Sequence, residues 1–512
     1  MTTGETQSPD HFNITEYLLV ERASEFSNKT GIVFYNGKIK KSYTYSQILD
    51  NTLIIANFLL YFGFKPGNRL IIRMENSPEF IFSFLGIMAA GMTAIPISPQ
   101  LTEEEVGYIL RESKAEGGLV DNRLPTPRPD DETILVPFSE IRDPATKNQQ
   151  YSLFNTRLYE EAFIVYTSGS SGYPKGVIHA HRCIKGREPM FEGWTDINSE
   201  DIVLHTGQLN WTYTLGVGLF DPLIKGGTTV LSNGKREPGE WPEIVKNEKV
   251  TIFATVPSLY RRILKYADLT TGSLSSLRHC LSAGESLIPS LYQDWIYSTG
   301  KEIYEALGMT EISTYISTNK EVPYRAGSTG VVQKGRTVLI LPIDGGVLPV
   351  VTGNVGVLAV DLSDNGLFLS YTTGKKEDNI RENFFITGDL VHSDIEGYIY
   401  YHGRNDDIMN SFGYRVSPTE VERVLETHPM IQEAGVTEVK KKDNINLISA
   451  FIVLKEGRSG GKEDIKSLEI FLKDHLATYK IPKEFYFVNE LPKSRNGKLM
   501  RKKLSQLLPD TL

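Results

Sequence analysis

The residues best equipped for chemistry lie in one run, YTSGSSGYPKGV at positions 166–177. Gly169 and Gly172 let the backbone turn N–H groups toward an anion, and Thr167, Ser168, Ser170 and Ser171 add hydroxyl donors. Lys175 supplies positive charge. Such a loop suits a polyphosphate. It is not a Walker A loop, because Pro174 precedes the lysine and Gly176 follows it, where Gly-Lys-Ser/Thr would have to enter a helix. The flanks at 161–166 and 176–178 read as strands instead.

Five more motifs follow in order: LSAGE at 281–285, YEALGMTE at 304–311, TGD at 387–389, GRNDD at 403–407 and PKSRNGKLMRK at 492–502. This ordered set resembles the adenylate-forming superfamily, which includes acyl-CoA synthetases, nonribosomal peptide adenylation domains and firefly luciferase. The resemblance covers nearly the whole chain. The opening FNITEYLL and the run LGMTEISTYIS look most like the benzoate-CoA ligase branch, with medium-chain acyl-CoA ligases as near neighbours.

The resemblance implies an ATP-dependent, AMP-forming acid–CoA ligase that uses ATP, Mg²⁺ and CoA. A carboxylate attacks the α-phosphorus of ATP, pyrophosphate leaves, and a thiol then displaces AMP from the acyl adenylate. By the same resemblance, Thr167, Ser168, Gly169, Ser170, Ser171, Gly172 and Lys175 hold the β- and γ-phosphates, and Thr310 touches the α-phosphate. Glu311 helps bind Mg²⁺, Asp389 accepts from the ribose hydroxyls with Arg404 nearby, and Gly284, Glu285, Glu305, Ala306, Leu307 and Gly308 line the adenine pocket. These assignments are chemically apt: a carboxylate accepts two vicinal hydroxyls, and magnesium takes hard oxygen ligands beside phosphate. Leu307 departs from the aromatic residue many relatives place against adenine, which leaves apolar contact alone.

Lys498 matches the lysine that bridges the carboxylate and the α-phosphate during adenylation. On charge alone it belongs to a basic run with Lys493, Arg495, Arg501, Lys502 and Lys503, but the Asn496–Gly497 turn can lift it out. Asp406 falls at the family's hinge, about which the small domain turns to offer Ser411, Gly413, Tyr414 and Arg415 to CoA. Thr212, Tyr213 and Gly308 are implied for the acyl pocket. Acetyl-CoA synthetases carry a closing tryptophan at Gly308, so an acid larger than acetate is expected, aromatic or short- to medium-chain; the alternative is that this glycine serves backbone geometry. Two other readings stay open, an adenylation enzyme that loads a separate carrier protein and a catalytically silent ATP sensor.

Several elements must position these groups. Thr44 and Gln47 form a capping box before apolar residues at helical spacing, a strand-like LIIRM starts at Leu70, and Ser77 and Pro78 open another helix. Gly91 can end that helix before a buried strand at 93–98. The uncharged stretch 80–97 is therefore read as helix plus strand and not as a membrane span. Strand-like runs recur at 228–231 and 251–255, short β-rich runs fill 327–371, and beyond 403 a helix starts at Ser417–Pro418 and a strand spans 447–454. With the resemblance, this predicts an α/β protein. Its large N-terminal domain, 1–405, comprises two parallel-type α/β subdomains plus a small β-barrel or antiparallel sheet; a small mobile α+β domain, 406–512, follows.

His179, His181 and Cys183 have no second cluster beside them, so a structural or pocket-lining role is expected in place of a metal site. A net charge of −8 over 512 residues argues against a nucleic-acid or acidic-membrane partner and suits small metabolites. The two cysteines, Cys183 and Cys280, suggest no disulfide framework, and the opening residues lack a signal-peptide pattern. A cytoplasmic protein, monomeric or homodimeric, is expected.

Overall fold

The computed structural model describes residues 11–126, 133–142, 153–168, 174–233, 236–269, 272–374, 379–407, 409–411, 414–440, 446–458, 460–493 and 499–508. Two large mixed sheets dominate it. The first has seven strands in the order Ser370–Tyr371, Pro174–Ala180, Glu161–Ser168, Thr93–Pro96, Arg69–Arg73, Gly117–Val120 and Ile134–Pro137. Its last five strands run parallel and its first two are antiparallel additions at one edge.

The second sheet has nine strands, with six parallel ones at its centre: Ile303–Met309, His279–Ala283, Ile252–Thr255, Ile202–His205, Thr228–Ser232 and Thr30–Asn36. Ser313–Ser317 and Ile39–Thr44 flank that centre antiparallel.

Strand alternation decides what each face buries. Leu70 and Ile72 of one sheet and Ile32 and Phe34 of the other join a single core with Ile48, Ile55, Phe80 and Phe84 from the helices Tyr45–Phe62 and Pro78–Ala89. Those helices therefore lie between the sheets. Ile71 points the other way, onto Val106 and Ile109 of the helix Glu103–Ser113. Val33 likewise points away from the shared core, toward Trp241, Tyr260 and Trp295.

The helix signals are met in detail. Thr44 and Gln47 form both bonds of the capping box, and Ser77 Oγ accepts from the Phe80 N–H at 3.0 Å. Gly91 has φ +72°, and the strand Thr93–Pro96 follows it. No helix among the described residues is long and apolar enough to cross a membrane.

Val338–Leu341 and Gly356–Asp361 of the β-rich segment join Ile380–Arg381, Phe384–Ser393 and Ile399–Arg404 beyond it in an antiparallel sheet of five strands. Among the described residues these strands pair as an open sheet, the second of the two expected forms. Among the described residues beyond Arg404 the strands pair with one another, as the hairpin of Met409–Ser411 with Tyr414–Val416 and the three-stranded sheet of Ile431–Lys440, Asn446–Leu454 and Glu484–Phe487. Ser417 caps the helix Pro418–Glu426, which packs on that sheet through Val421 and Leu425.

Candidate functional site

The Lys175 region is a β-hairpin. Thr167 pairs with Lys175 and Ser168 with Pro174, so the chain enters and leaves 169–173 through paired strands. Gly169, Ser170, Ser171 and Gly172 lie outside the described residues, and at Ser168 only the backbone is placed.

Tyr371, which sequence reasoning passed over, organises the described part of the site. The strand Ser370–Tyr371 pairs with Val177 and Ile178 at the hairpin's edge, so its tyrosine lies beside Lys175. Lys175 Nζ stands 3.0 Å from the centre of the Tyr371 ring, and the Tyr371 hydroxyl donates to Glu311 Oε1 at 2.9 Å. The Phe368 N–H also donates to the Glu311 carbonyl at 2.7 Å. One ring therefore holds the lysine on its face and the carboxylate at its tip. A lone tyrosine in a β-rich run has no spacing signal that could have disclosed this.

Thr310 and Glu311 occupy the turn after the parallel strand Ile303–Met309, and Gly284 and Glu285 follow its neighbour His279–Ala283. Both pairs thus sit at the carboxyl ends of parallel strands, where open α/β sheets place their ligands. Gly284 has φ +89°, and a Cβ there would come within 2.9 Å of the Trp211 ring. At Gly308 a Cβ would lie 2.4 Å from the Ser313 carbonyl oxygen, so close backbone approach is enough to account for this glycine.

The structure turns several candidates away from an open pocket. Glu305 and Ala306 are buried, and Leu307 is half-buried beneath the antiparallel sheet. Glu305 Oε1 accepts from the Leu287 N–H at 2.9 Å, and burial pushes its carboxyl up to about 7. Glu285 accepts from the Ser258 N–H and hydroxyl, both at 3.1 Å, at the start of the helix Pro257–Tyr266. Burial raises its pKa while those two bonds oppose the shift. Tyr213 is buried and donates to the Leu281 carbonyl at 3.1 Å, so it packs beneath the site. Its neighbour Thr212 lines a cavity that also reaches Thr310.

Asp389 and Arg404 face each other across adjacent strands, with Nη1 3.4 Å from Oδ1. Asp389 is 4% exposed and its N–H donates to Thr387 Oγ1 at 3.1 Å, which shapes the strand about Gly388. Gly388, at φ +82°, leaves room for the guanidinium, since a Cβ would come within 3.0 Å of Arg404 Nη2. The Tyr315 hydroxyl is buried, and burial and the Asp389 charge raise its pKa.

The backbone of Asp406 lies in the single turn Asn405–Asp407, and those of Ser411, Tyr414 and Arg415 lie in the hairpin beyond it. Gly413 and Lys498 lie outside the described residues. Lys493 and Leu499 are bridged antiparallel, which brings together the ends of the segment that carries Lys498. His179 and His181 are buried, and burial lowers both to about 3, so they are neutral. No group of three or more His, Cys, Asp or Glu suited to a metal occurs among the described residues.

Comparison with known proteins gives this arrangement its class. Residues 19–371 match the AMP-binding enzyme family and residues 420–498 the AMP-binding enzyme C-terminal domain. An uncharacterized acyl-CoA ligase, YtcI of Bacillus subtilis (strain 168), is 30% identical over 508 residues, 96% of each chain. The human mitochondrial acyl-coenzyme A synthetase ACSM3 is 30% identical over 463 residues, 86% of this chain and 79% of that protein. The crystal structure of a benzoate CoA ligase from Burkholderia xenovorans LB400 superposes with a TM-score of 0.86 at 26% identity, covering 96% of this chain and 100% of that one. The chain belongs to the AMP-binding enzyme family, as an acyl-CoA synthetase of the adenylate-forming superfamily.

Two outcomes follow from this geometry. Tyr371→Phe keeps the ring under Lys175 but removes the bond to a charged carboxylate, so acid-dependent exchange of pyrophosphate into ATP should fall by about 10-fold, with Tyr371→Ala lower still. Glu305 has a folded pKa above its unfolded value, so its stabilising contribution is present below ordinary carboxylate pH and is lost as pH rises through about 7. Glu305→Gln should therefore raise the melting temperature at pH 8, by about 2 °C or more, and have less effect at pH 5.

Proposed function

We propose that this protein is an ATP-dependent, AMP-forming carboxylic acid–CoA ligase for an acid larger than acetate, aromatic or short- to medium-chain. The observation that carries the reading is the Lys175–Tyr371–Glu311 arrangement, a cation and a carboxylate held by one ring at the carboxyl ends of parallel strands. It supports phosphate binding by the hairpin. The reading extends to Gly169, Ser170, Ser171 and Gly172, whose loop joins the hairpin strands, and to Ser168 beside them.

The described groups suit their proposed work. Lys175 and the hairpin hydroxyls bind and orient the β- and γ-phosphates, while Thr310 meets the α-phosphate. Glu311 offers a hard oxygen donor beside phosphate, which fits Mg²⁺, and the metal when bound neutralises phosphate charge. Asp389, with Arg404 against it, accepts from the ribose hydroxyls. Gly284 and Gly308 present exposed backbone at neighbouring strand ends, which suits close approach of a flat base. Glu285, Glu305, Ala306 and Leu307 form the wall behind.

In this proposal the acid's carboxylate oxygen bonds to the α-phosphorus as pyrophosphate leaves, with Lys498 bridging the two anions. The CoA thiol, on losing its proton, then bonds to the acyl carbon and AMP leaves. We assign residues 1–405 to the nucleotide-holding domain and 406–512 to a domain that turns about Asp406, bringing Ser411, Gly413, Tyr414 and Arg415 to CoA. Part of the contact between them suits such motion. Lys265–Glu456 at 2.5 Å is an exposed pair, which contributes little stability, while Arg261–Glu433 at 3.2 Å is half-buried.

Lys498→Ala should lower acid-dependent pyrophosphate exchange by about 10²- to 10³-fold, the cost of one preorganised charge donor, yet retain thioester formation from preformed acyl adenylate and CoA. Equal loss in both half-reactions would contradict this assignment. Asp406→Pro should do the reverse, slowing the second half-reaction more in single-turnover kinetics. Thioester formation with free CoA would exclude an obligatory carrier protein.

A further inference from the structure

One cavity adjoins Thr310, and its walls bear on which acid is used. Its volume is about 30 Å³, and Thr212, Ser313, Phe163, Cys183, Leu215 and Phe220 line it with Thr310. About 10–15 Å³ in this measure accommodates one water-sized group, and an apolar cavity that binds benzene is about 150 Å³. The space past Thr310 therefore suits about two or three carbon atoms and falls well short of an aryl ring.

One part of the wall is backbone, which no change of rotamer can move. Gly186 and Gly366 meet backbone to backbone, since a Cβ on Gly186 would lie 2.2 Å from the Gly366 nitrogen. The segment around Gly366 is pinned by Arg182, which donates to the carbonyls of Asp364, Asn365 and Leu367 at 2.8, 2.7 and 2.8 Å. Arg336 grips the Asp364 carboxylate as well, at 3.0 and 2.8 Å.

The one cation on the cavity wall is already matched. Arg187 lies flat against Gly216, where a Cβ would come within 2.5 Å of its nitrogens. It donates to both oxygens of Asp221 at 2.5 and 2.8 Å and to Ser313 Oγ at 3.1 Å, and Asp221 is fully buried. A second carboxylate on the substrate would meet a compensated charge and would enter unpaired, at a high desolvation cost. His179 offers no charge either, because burial keeps it neutral.

We propose that the acid is a short, uncharged aliphatic monocarboxylate, with about two or three carbons beyond its carboxyl carbon, and that the Arg187–Asp221 pair and the Gly186–Gly366 contact exclude aryl acids and diacids. This rests on the acid–CoA ligase reading and selects one of the acid classes it allows. Each methylene gained or lost in an apolar pocket changes specificity by about 10-fold or more.

The test is a panel of acetate, propionate, butyrate, hexanoate, benzoate and succinate, assayed with the full chain, ATP, Mg²⁺ and CoA. AMP release gives kcat/KM and mass spectrometry identifies the thioester. Propionate or butyrate should be best, with hexanoate, benzoate and succinate each lower by about 10-fold or more. A maximum at any of the other acids would overturn the pocket inference and leave the ligase reading standing, whereas inactivity toward every acid would overturn both. Leu215→Ala should raise the hexanoate-to-butyrate ratio by about 10-fold, and an unchanged ratio in a folded variant would contradict the assignment of this wall. The wild-type panel decides the matter should that variant fail to fold.

Discussion

The Tyr371 hydroxyl ties together the two large sheets, which also share the core built on the helices between them and pack directly through Val177, Tyr315 and Ile316. Tyr371 belongs to an edge strand of the seven-stranded sheet, and Glu311 follows a central strand of the nine-stranded one. The backbone bond from Phe368 to Glu311 reinforces the same junction. The spacing between Lys175 and the Glu311 carboxylate is therefore set by a ring contact and a hydrogen bond between sheets. The packed core of Ile48, Ile55, Phe80 and Phe84 supplies the platform that keeps the sheets in place.

The antiparallel sheet contributes the other half of the proposed nucleotide geometry. Its register brings Asp389 opposite Arg404, and Gly388 clears the space between them. This pairing is local to one β-ladder, whereas the Lys175–Tyr371–Glu311 contact depends on residues from 175 to 371.

What could be read from the amino acids followed the range of the interactions. Caps, turns and strand alternation are local, so the helix after Thr44, the Ser77–Pro78 start and the left-handed Gly91 were all legible. The ordered motifs likewise marked Lys175, Glu311, Asp389 and Arg404 as a set. Tyr371 and Arg187 were not legible, because each acquires its role from partners about 60 and 34 residues away, Glu311 and Asp221. Glu305 illustrates the same limit from the other side: its motif suggested a pocket wall, but strand alternation points its carboxylate inward to the Leu287 N–H.

Sequence likeness to acyl-CoA ligases and the close backbone contacts around Gly186 and Gly308 bear on different questions, the first on reaction class and the second on the space left for substrate. The central claim is that the joined sheets form a site which activates a carboxylate on ATP. Its most direct test is exchange of labelled pyrophosphate into ATP by the full chain with magnesium and without CoA. The account predicts exchange that requires an added carboxylic acid; exchange absent across aliphatic, aryl and dicarboxylic acids, despite measurable ATP binding, would contradict it.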